Sequence, residues 1–240
     1  MTPKIIHYCW FGNANMSTMH RRCIESWKKY CPDYEIRLWN EHNSDIDNEY
    51  CRQAIAQRKW AFVSDWVRFD ALYKHGGIYF DTDLELIRPI DALLPHRQCV
   101  LGYESKKSIG TAFLMSRAGD PVMAQARALI LHDLTARKRF TTSPLIVKHA
   151  VEMAVGKDCL ILPRVAFFPF NPYERDNPQN AGQLMFSDIT EATYGIHHFG
   201  LAGGSWGDGP VRRMLNKLYQ MARLERRWSI TYTPFASSPT

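Results

Sequence analysis

No two of the six cysteines, at positions 9, 23, 31, 51, 99 and 159, form a CxxC pair, and none has a clustered histidine partner. That excludes a zinc knuckle and a small disulfide framework, and leaves free, buried or half-buried thiols in a reducing compartment. No apolar run approaches the roughly 20 residues a bilayer span requires. The short run Ile5 to Phe11 is interrupted by His7 and preceded by a single Lys4, too polar for a secretory signal. The expected location is therefore cytoplasmic. Low-complexity tracts and internal repeats are also missing.

What remains is 240 residues with 45% hydrophobic, 22% charged and 12% aromatic content, enough for one folded domain with a real core. Lys and Arg number 30 against 24 Asp and Glu, a net charge of +6. Over this length the excess is modest for a nucleic-acid binder, and much of it gathers near the C-terminus, so no nucleic-acid partner is expected. Phosphate-bearing small molecules or an anionic lipid surface suit such a charge.

The N-terminal half alternates strand and helix, which predicts an α/β fold with a mainly parallel sheet flanked by helices. Lys4 to Trp10 reads as a central strand, a helix follows from the N-cap Ser17 to Tyr30, and Tyr34 to Trp39 reads as a second strand. A further helix covers Glu49 to Gln57. Phe62, Val63, Trp66, Val67, Phe69, Leu72 and Tyr73 mark an amphipathic helix, ended by Gly76-Gly77 as a left-handed C-cap. Ile78-Tyr79-Phe80 is then a strand, with Asp81-Thr82-Asp83 at its end and Leu84 to Ile87 beyond. Strands are expected at Cys99 to Tyr103, Thr111 to Met115 and Tyr194 to Phe199. Asp120-Pro121 and Ser143-Pro144 each read as a cap followed by proline at the first helical position. Arg164 to Gln183 reads as structured loop, and a basic helix from Pro210 to about Arg227 closes the chain.

Side chains at i and i+2 of an extended strand face the same way, so Asp81 and Asp83 can converge. Two oxygen donors on one face suit a hard divalent cation, Mn²⁺ or Mg²⁺, that keeps positions open for phosphate oxygens. A nucleoside diphosphate is the natural complement. Asp45-Ile46-Asp47 has the same spacing in a polar loop without a preceding apolar strand, and reads as solvated surface. Asp65 and Arg68, three apart on one helix, either form an ion pair or serve the ligand: Asp65 on a ribose or sugar hydroxyl, Arg68 on the nucleotide or donor sugar.

Four ordered motifs carry a resemblance: Lys4 to Gly12, Ser64 to Arg68, Gly76 to Asp83, and His197-His198 followed by Ser205-Trp206. Together they resemble the DXD-containing glycosyltransferases of family 32, which include capsular and surface polysaccharide transferases and mannosyltransferases and are related to the clostridial glucosylating toxins. The resemblance implies a GT-A fold over a catalytic domain at 1–207, with 208–240 a basic helix and tail. It also implies a nucleotide-sugar donor, a divalent metal and transfer with retention. Position by position, it casts Asp83 as the more direct metal ligand and Asp81 as a contact to sugar or ribose that helps hold the metal. Trp10 would stack on the base, Asp65 and Arg68 would meet the donor sugar, and Ser205 with Trp206 would close over the diphosphate. A late histidine would complete the metal set. His198 keeps the family spacing to Trp206 and His197 keeps the His-x-x-Gly pattern with Gly200; the balance falls narrowly to His198.

The expected function is a metal-dependent retaining transferase that moves a sugar, from a UDP-sugar in preference to a GDP-sugar, onto a saccharide or lipid-linked saccharide acceptor in capsular or cell-surface polysaccharide synthesis. Alternatives are a non-catalytic basic binding protein for nucleic acid or an anionic surface, and a protein-glycosylating effector. The 210–227 helix carries Val211, Met214, Leu215, Leu218 and Met221 on one side and Arg212, Arg213, Lys217 and Arg223 around it. It is either a packed stripe with a solvated face or a peripheral contact with the inner face of the cytoplasmic membrane.

Overall fold

The computed structural model describes residues 2–95, 99–137, 140–171 and 189–200. Strand β1 (Ile5–Cys9), helix α1 (Thr18–Tyr30), β2 (Glu35–Trp39), α2 (Glu49–Ala56), α3 (Trp60–His75), β3 (Gly77–Phe80) and β4 (Leu84–Leu86) follow one another. Then come β5 (Cys99–Tyr103), β6 (Ile109–Ser116), α4 (Pro121–Arg137), α5 (Ser143–Met153), β7 (Cys159–Leu162) and β8 (Gly195–His197). The chain divides into one unit at Met1–Phe199 and another at Gly200–Thr240; the latter, beyond Gly200, lies outside the described residues, as does the expected 210–227 helix.

Six strands form one sheet in the order β2-β1-β3-β6-β5-β7. The pairs β1–β2, β1–β3 and β5–β7 are parallel, and β6 alone runs against both its neighbours. Both faces of the sheet are covered, which is why its strands read as continuous apolar runs. Period-two alternation divides them cleanly: Tyr79, Leu101 and Leu114 enter one core layer with α2, α3, α4 and α5. Ile78, Phe80, Val100, Phe113 and Met115 enter the other with Ile24 and Trp27 of α1 and with Phe167 and Phe168.

Several expectations change in detail. Helix α3 packs on β1 and β3 from one side and α2 and α4 from the other, so even its charged Asp65, Arg68 and Asp70 are buried. Gly76 has φ 64° and ψ −167°, a conformation only glycine adopts readily but outside the left-handed helical well expected for a C-cap. The cap of α5 is Thr142 instead of Ser143, whose hydroxyl is 2.9 Å from that of Thr111. Strand β7 carries no expectation in the sequence. Strand β4 leaves the main sheet and pairs antiparallel with β8, placing Leu84 opposite His197. The six cysteines are all free.

Phe168 fills a groove over the β5–β6 hairpin that only glycine leaves open: a Cβ on Gly110 would meet its ring at 2.3 Å, and one on Gly102 at 3.3 Å. Gly110→Ala should therefore destabilise the fold by about 1–3 kcal/mol, the usual range for overpacking, and Gly102→Ala by less. Urea midpoints measure both; equal stability of Gly110→Ala and the parent chain would contradict the packing described.

Candidate active site

The apolar β3 lies between β1 and β6 and ends at Asp81, whose backbone N–H donates to Ala112 of β6 at 2.9 Å. From there the chain turns at once. Leu84 N–H donates to Asp81 C=O at 2.9 Å, so Asp81 and Asp83 sit on a tight turn and not on extended strand. The two carboxylates still converge, but it is the turn that aims them, a correction to the strand-alternation reason. Strand β8 lies along β4, and its His197 comes to the same place: Nε2 is 3.2 Å from Asp83 Oδ1. Asp81, Asp83 and His197 each present a ligand atom within 4.8 Å of the others. His198, the residue after β8, meets Glu85 at 3.0 Å instead. The structure thus brings His197, and not the narrowly favoured His198, to the carboxylates.

Asp81 is positioned from beneath. Arg68 Nη2 lies 3.0 Å from Asp65 Oδ1 and 3.2 Å from Asp81 Oδ1, while Nη1 donates to Thr111 C=O at 2.8 Å. The guanidinium also lies over the Tyr79 ring, and the Tyr79 hydroxyl donates to Asp81 Oδ1 at 3.0 Å. Side-chain exposure is 0% for Asp65 and 2% for Arg68, against 24% for Asp81. Asp65 and Arg68 therefore form the ion pair that their spacing allows, and Arg68 links that pair to Asp81.

Burial pushes the Asp65 carboxyl up to about 6, against the opposing pull of Arg68 and a hydrogen bond from Ser143. For His197, burial works against the proton, but the Asp83 carboxylate, with Asp81 and Glu104 behind it, outweighs burial and raises the pKa. Glu104 is a residue the sequence reading passed over. Desolvation raises its pKa, the Ser108 hydroxyl donates to it at 2.7 Å, and it interacts electrostatically with both His197 and Asp81. It follows β5 directly, but nothing in its local sequence separates it from an ordinary loop acid.

Trp10 follows β1. Its indole N–H donates to Ala14 C=O at 2.6 Å and its ring meets His20 edge to face at 5.0 Å. Ser205 and Trp206 lie outside the described residues. Asp45 and Asp47 pair with Lys74 and Arg52 at the surface, as expected of a solvated copy of the motif.

Residues 17–100 match the model of the glycosyltransferase sugar-binding region containing DXD motif. Over these residues the chain is similar to the DXD region of glycosyltransferases. The matched stretch holds Asp65, Arg68, Asp81 and Asp83 and leaves Trp10 and His197 to either side. Inositol phosphoceramide mannosyltransferase 3 of Schizosaccharomyces pombe is 31% identical over 138 residues, 51% of this chain and 35% of that protein. Among solved structures, the PaToxG glycosyltransferase superposes with a TM-score of 0.53 at 18% identity, covering 62% of this chain and 68% of its own. The glycosyltransferase GlyE of Streptococcus pneumoniae TIGR4 gives 0.53 at 11% identity over 95% of this chain and 64% of its own. These likenesses show a shared fold, the GT-A-like α/β architecture that surrounds the DXD region.

An acid raised by burial gives stability that is complete below its unfolded pKa and is lost as pH rises through the folded one. Asp65 should therefore lower stability as pH climbs from about 3.8 to about 6. Asp65→Asn removes that component. The stability of the parent relative to the variant should fall across this window, on the order of 2–3 kcal/mol, and level off above it. Urea midpoints against pH measure it; a flat difference would refute the buried, proton-hungry carboxylate. Separately, His197→Ala should lose Mn²⁺ binding at concentrations that saturate the parent chain, whereas His198→Ala should keep it, read by titration calorimetry.

Proposed function

We propose that this chain is a metal-dependent, retaining glycosyltransferase that moves a sugar from a UDP-sugar to a saccharide acceptor in capsular or cell-surface polysaccharide synthesis. The observation that carries the proposal is the convergence of Asp81, Asp83 and His197 on one turn at the end of a central strand, inside or beside the matched DXD region. Two carboxylates and an imidazole make a mixed oxygen and nitrogen donor set that fits Mn²⁺. A cation held by these three residues would neutralise charge on the leaving diphosphate.

The chain's own groups set the geometry for that chemistry. Arg68 and Tyr79 hold Asp81 through Oδ1, His197 holds Asp83, and Phe168 braces the His197 ring at 5.6 Å. Trp10, with its indole N–H already spent on Ala14, offers a ring face for base stacking. Ser205 and Trp206 are proposed to close over the diphosphate. Retention follows from the family resemblance, through same-face substitution in which the departing phosphate takes the acceptor proton. The mannosyltransferase relative supports glycosyl transfer to a lipid-linked acceptor. A catalytic domain at 1–207, working at the cytoplasmic face of the membrane, belongs to the same proposal.

A panel of UDP- and GDP-sugars with Mn²⁺, read by release of free nucleotide, tests it. A UDP-sugar should be turned over, EDTA should stop release and Mn²⁺ restore it. Asp83→Ala should cut turnover by about 100-fold or more, the scale of losing one positioned electrostatic group. Proton NMR of the first-formed product should show the donor's anomeric configuration. Full activity in Asp83→Ala, or no donor turned over, would defeat the proposal.

A further inference from the structure

The first turn of α1 carries a histidine that the site described above leaves unused. His20 closes a capping box with Ser17: its backbone N–H donates to Ser17 Oγ at 3.4 Å, and Ser17 N–H donates to its Nδ1 at 3.3 Å. Because Nδ1 accepts, the neutral ring carries its proton on Nε2, a donor. Among the described residues, no hydrogen bond falls on that atom. The ring stands edge to face against Trp10 at 5.0 Å, and Trp10 is itself pinned by Ala14.

Helix α1 is also bolted to the strand that leaves the Asp81–Asp83 turn. Trp27 Nε1 donates to Leu84 C=O at 2.7 Å, and Leu86 N–H donates to Ser26 Oγ at 2.9 Å. Burial lowers the His20 pKa while the Asp83 carboxylate opposes it, so the two groups are within electrostatic reach. His20 thus touches the ring proposed to hold a base and is within electrostatic reach of the carboxylate proposed to hold a cation.

We infer that His20 is a donor-binding residue whose Nε2–H hydrogen-bonds a phosphate oxygen of the nucleoside diphosphate as it passes from Trp10 to the Asp81–Asp83 turn. This rests on the nucleotide-sugar reading given above. A nucleotide stacked on Trp10 and anchored by its phosphates at the Asp81–Asp83 turn would have this ring within reach. The histidine then reads the phosphates and not the base.

Calorimetry with UDP and with uridine, each in the presence of Mn²⁺, tests the inference on the full chain. His20→Ala should weaken UDP by about 10- to 100-fold, the range for a hydrogen bond to a charged group, and leave uridine unchanged. His20→Glu keeps a Ser-x-x-Glu capping box, so the helix start is retained, and should lose UDP affinity in the same selective way. Equal losses for UDP and uridine would make His20 a mere support for Trp10 and overturn the inference, as would unchanged UDP affinity in either variant. Failure of the parent chain to bind UDP would overturn the donor reading together with it. Tight UDP binding by the parent that His20→Ala leaves intact overturns the inference alone.

Discussion

One guanidinium organises the site. Arg68, closed off from solvent, stands between a fully buried carboxylate and a partly exposed one, and its remaining arm reaches the β6 backbone at Thr111. A buried charge is costly unless paired on every side, so each of these contacts depends on the others. Asp65 stabilises the cation at the expense of its own desolvation, which is why its proton affinity rises while Arg68 stays charged. Asp81 gains a fixed orientation from the same cation. Helix α3, β3 and β6 are thereby locked around a polar seam in an otherwise apolar layer.

The second half of the site arrives from a distant part of the sequence. His197 reaches Asp83 because β8 pairs with β4, the short strand that follows the turn, and because its backbone N–H donates to Phe167 C=O at 3.0 Å. Phe167 stacks on Phe113 at 3.8 Å, and Phe168 lies over the glycines of the β5–β6 hairpin. The imidazole is therefore carried by core packing as much as by its strand. Local sequence builds the carboxylate turn; a long-range contact completes the donor set.

That division explains what could be read in advance. The apolar tripeptide before Asp81, the glycine pair before it and the contrasting loop copy at Asp45 and Asp47 are local signals, and they located the strand end. The convergence of the carboxylates was legible, although the turn that produces it was not, since Leu84 had to be known to bond back to Asp81. Choosing between His197 and His198 requires the register of β8 on β4, a tertiary quantity that adjacent identical residues cannot encode. Ser143 looked like a cap because Pro144 follows it; its hydroxyl is instead drawn inward by Thr111 and Asp65. Cys159 to Leu162 is too short an apolar run to declare itself a strand without β5 beside it. Glu104 gains its environment from Ser108 and from the folded neighbours of β3 and β8, none adjacent to it in sequence.

Charge closes the reasoning about what such a site is for. The chain as a whole carries +6, yet at the end of β3 the carboxylates of Asp81, Asp83 and Glu104 gather about His197, and of the three only Asp81 reaches the guanidinium already shared with Asp65. A group of acids concentrated on a tight turn repels itself, and His197 relieves part of that strain by drawing toward the protonated form. A divalent cation would relieve more of it with no proton needed from His197, whose neutral nitrogen would then be free to serve as a ligand. An anionic diphosphate could not approach these carboxylates alone, but it could approach them through a cation, with a neutral donor such as His20 beside it. The local negative charge and the global positive charge are thus both what the proposed ligand, an anion accompanied by a metal, would require.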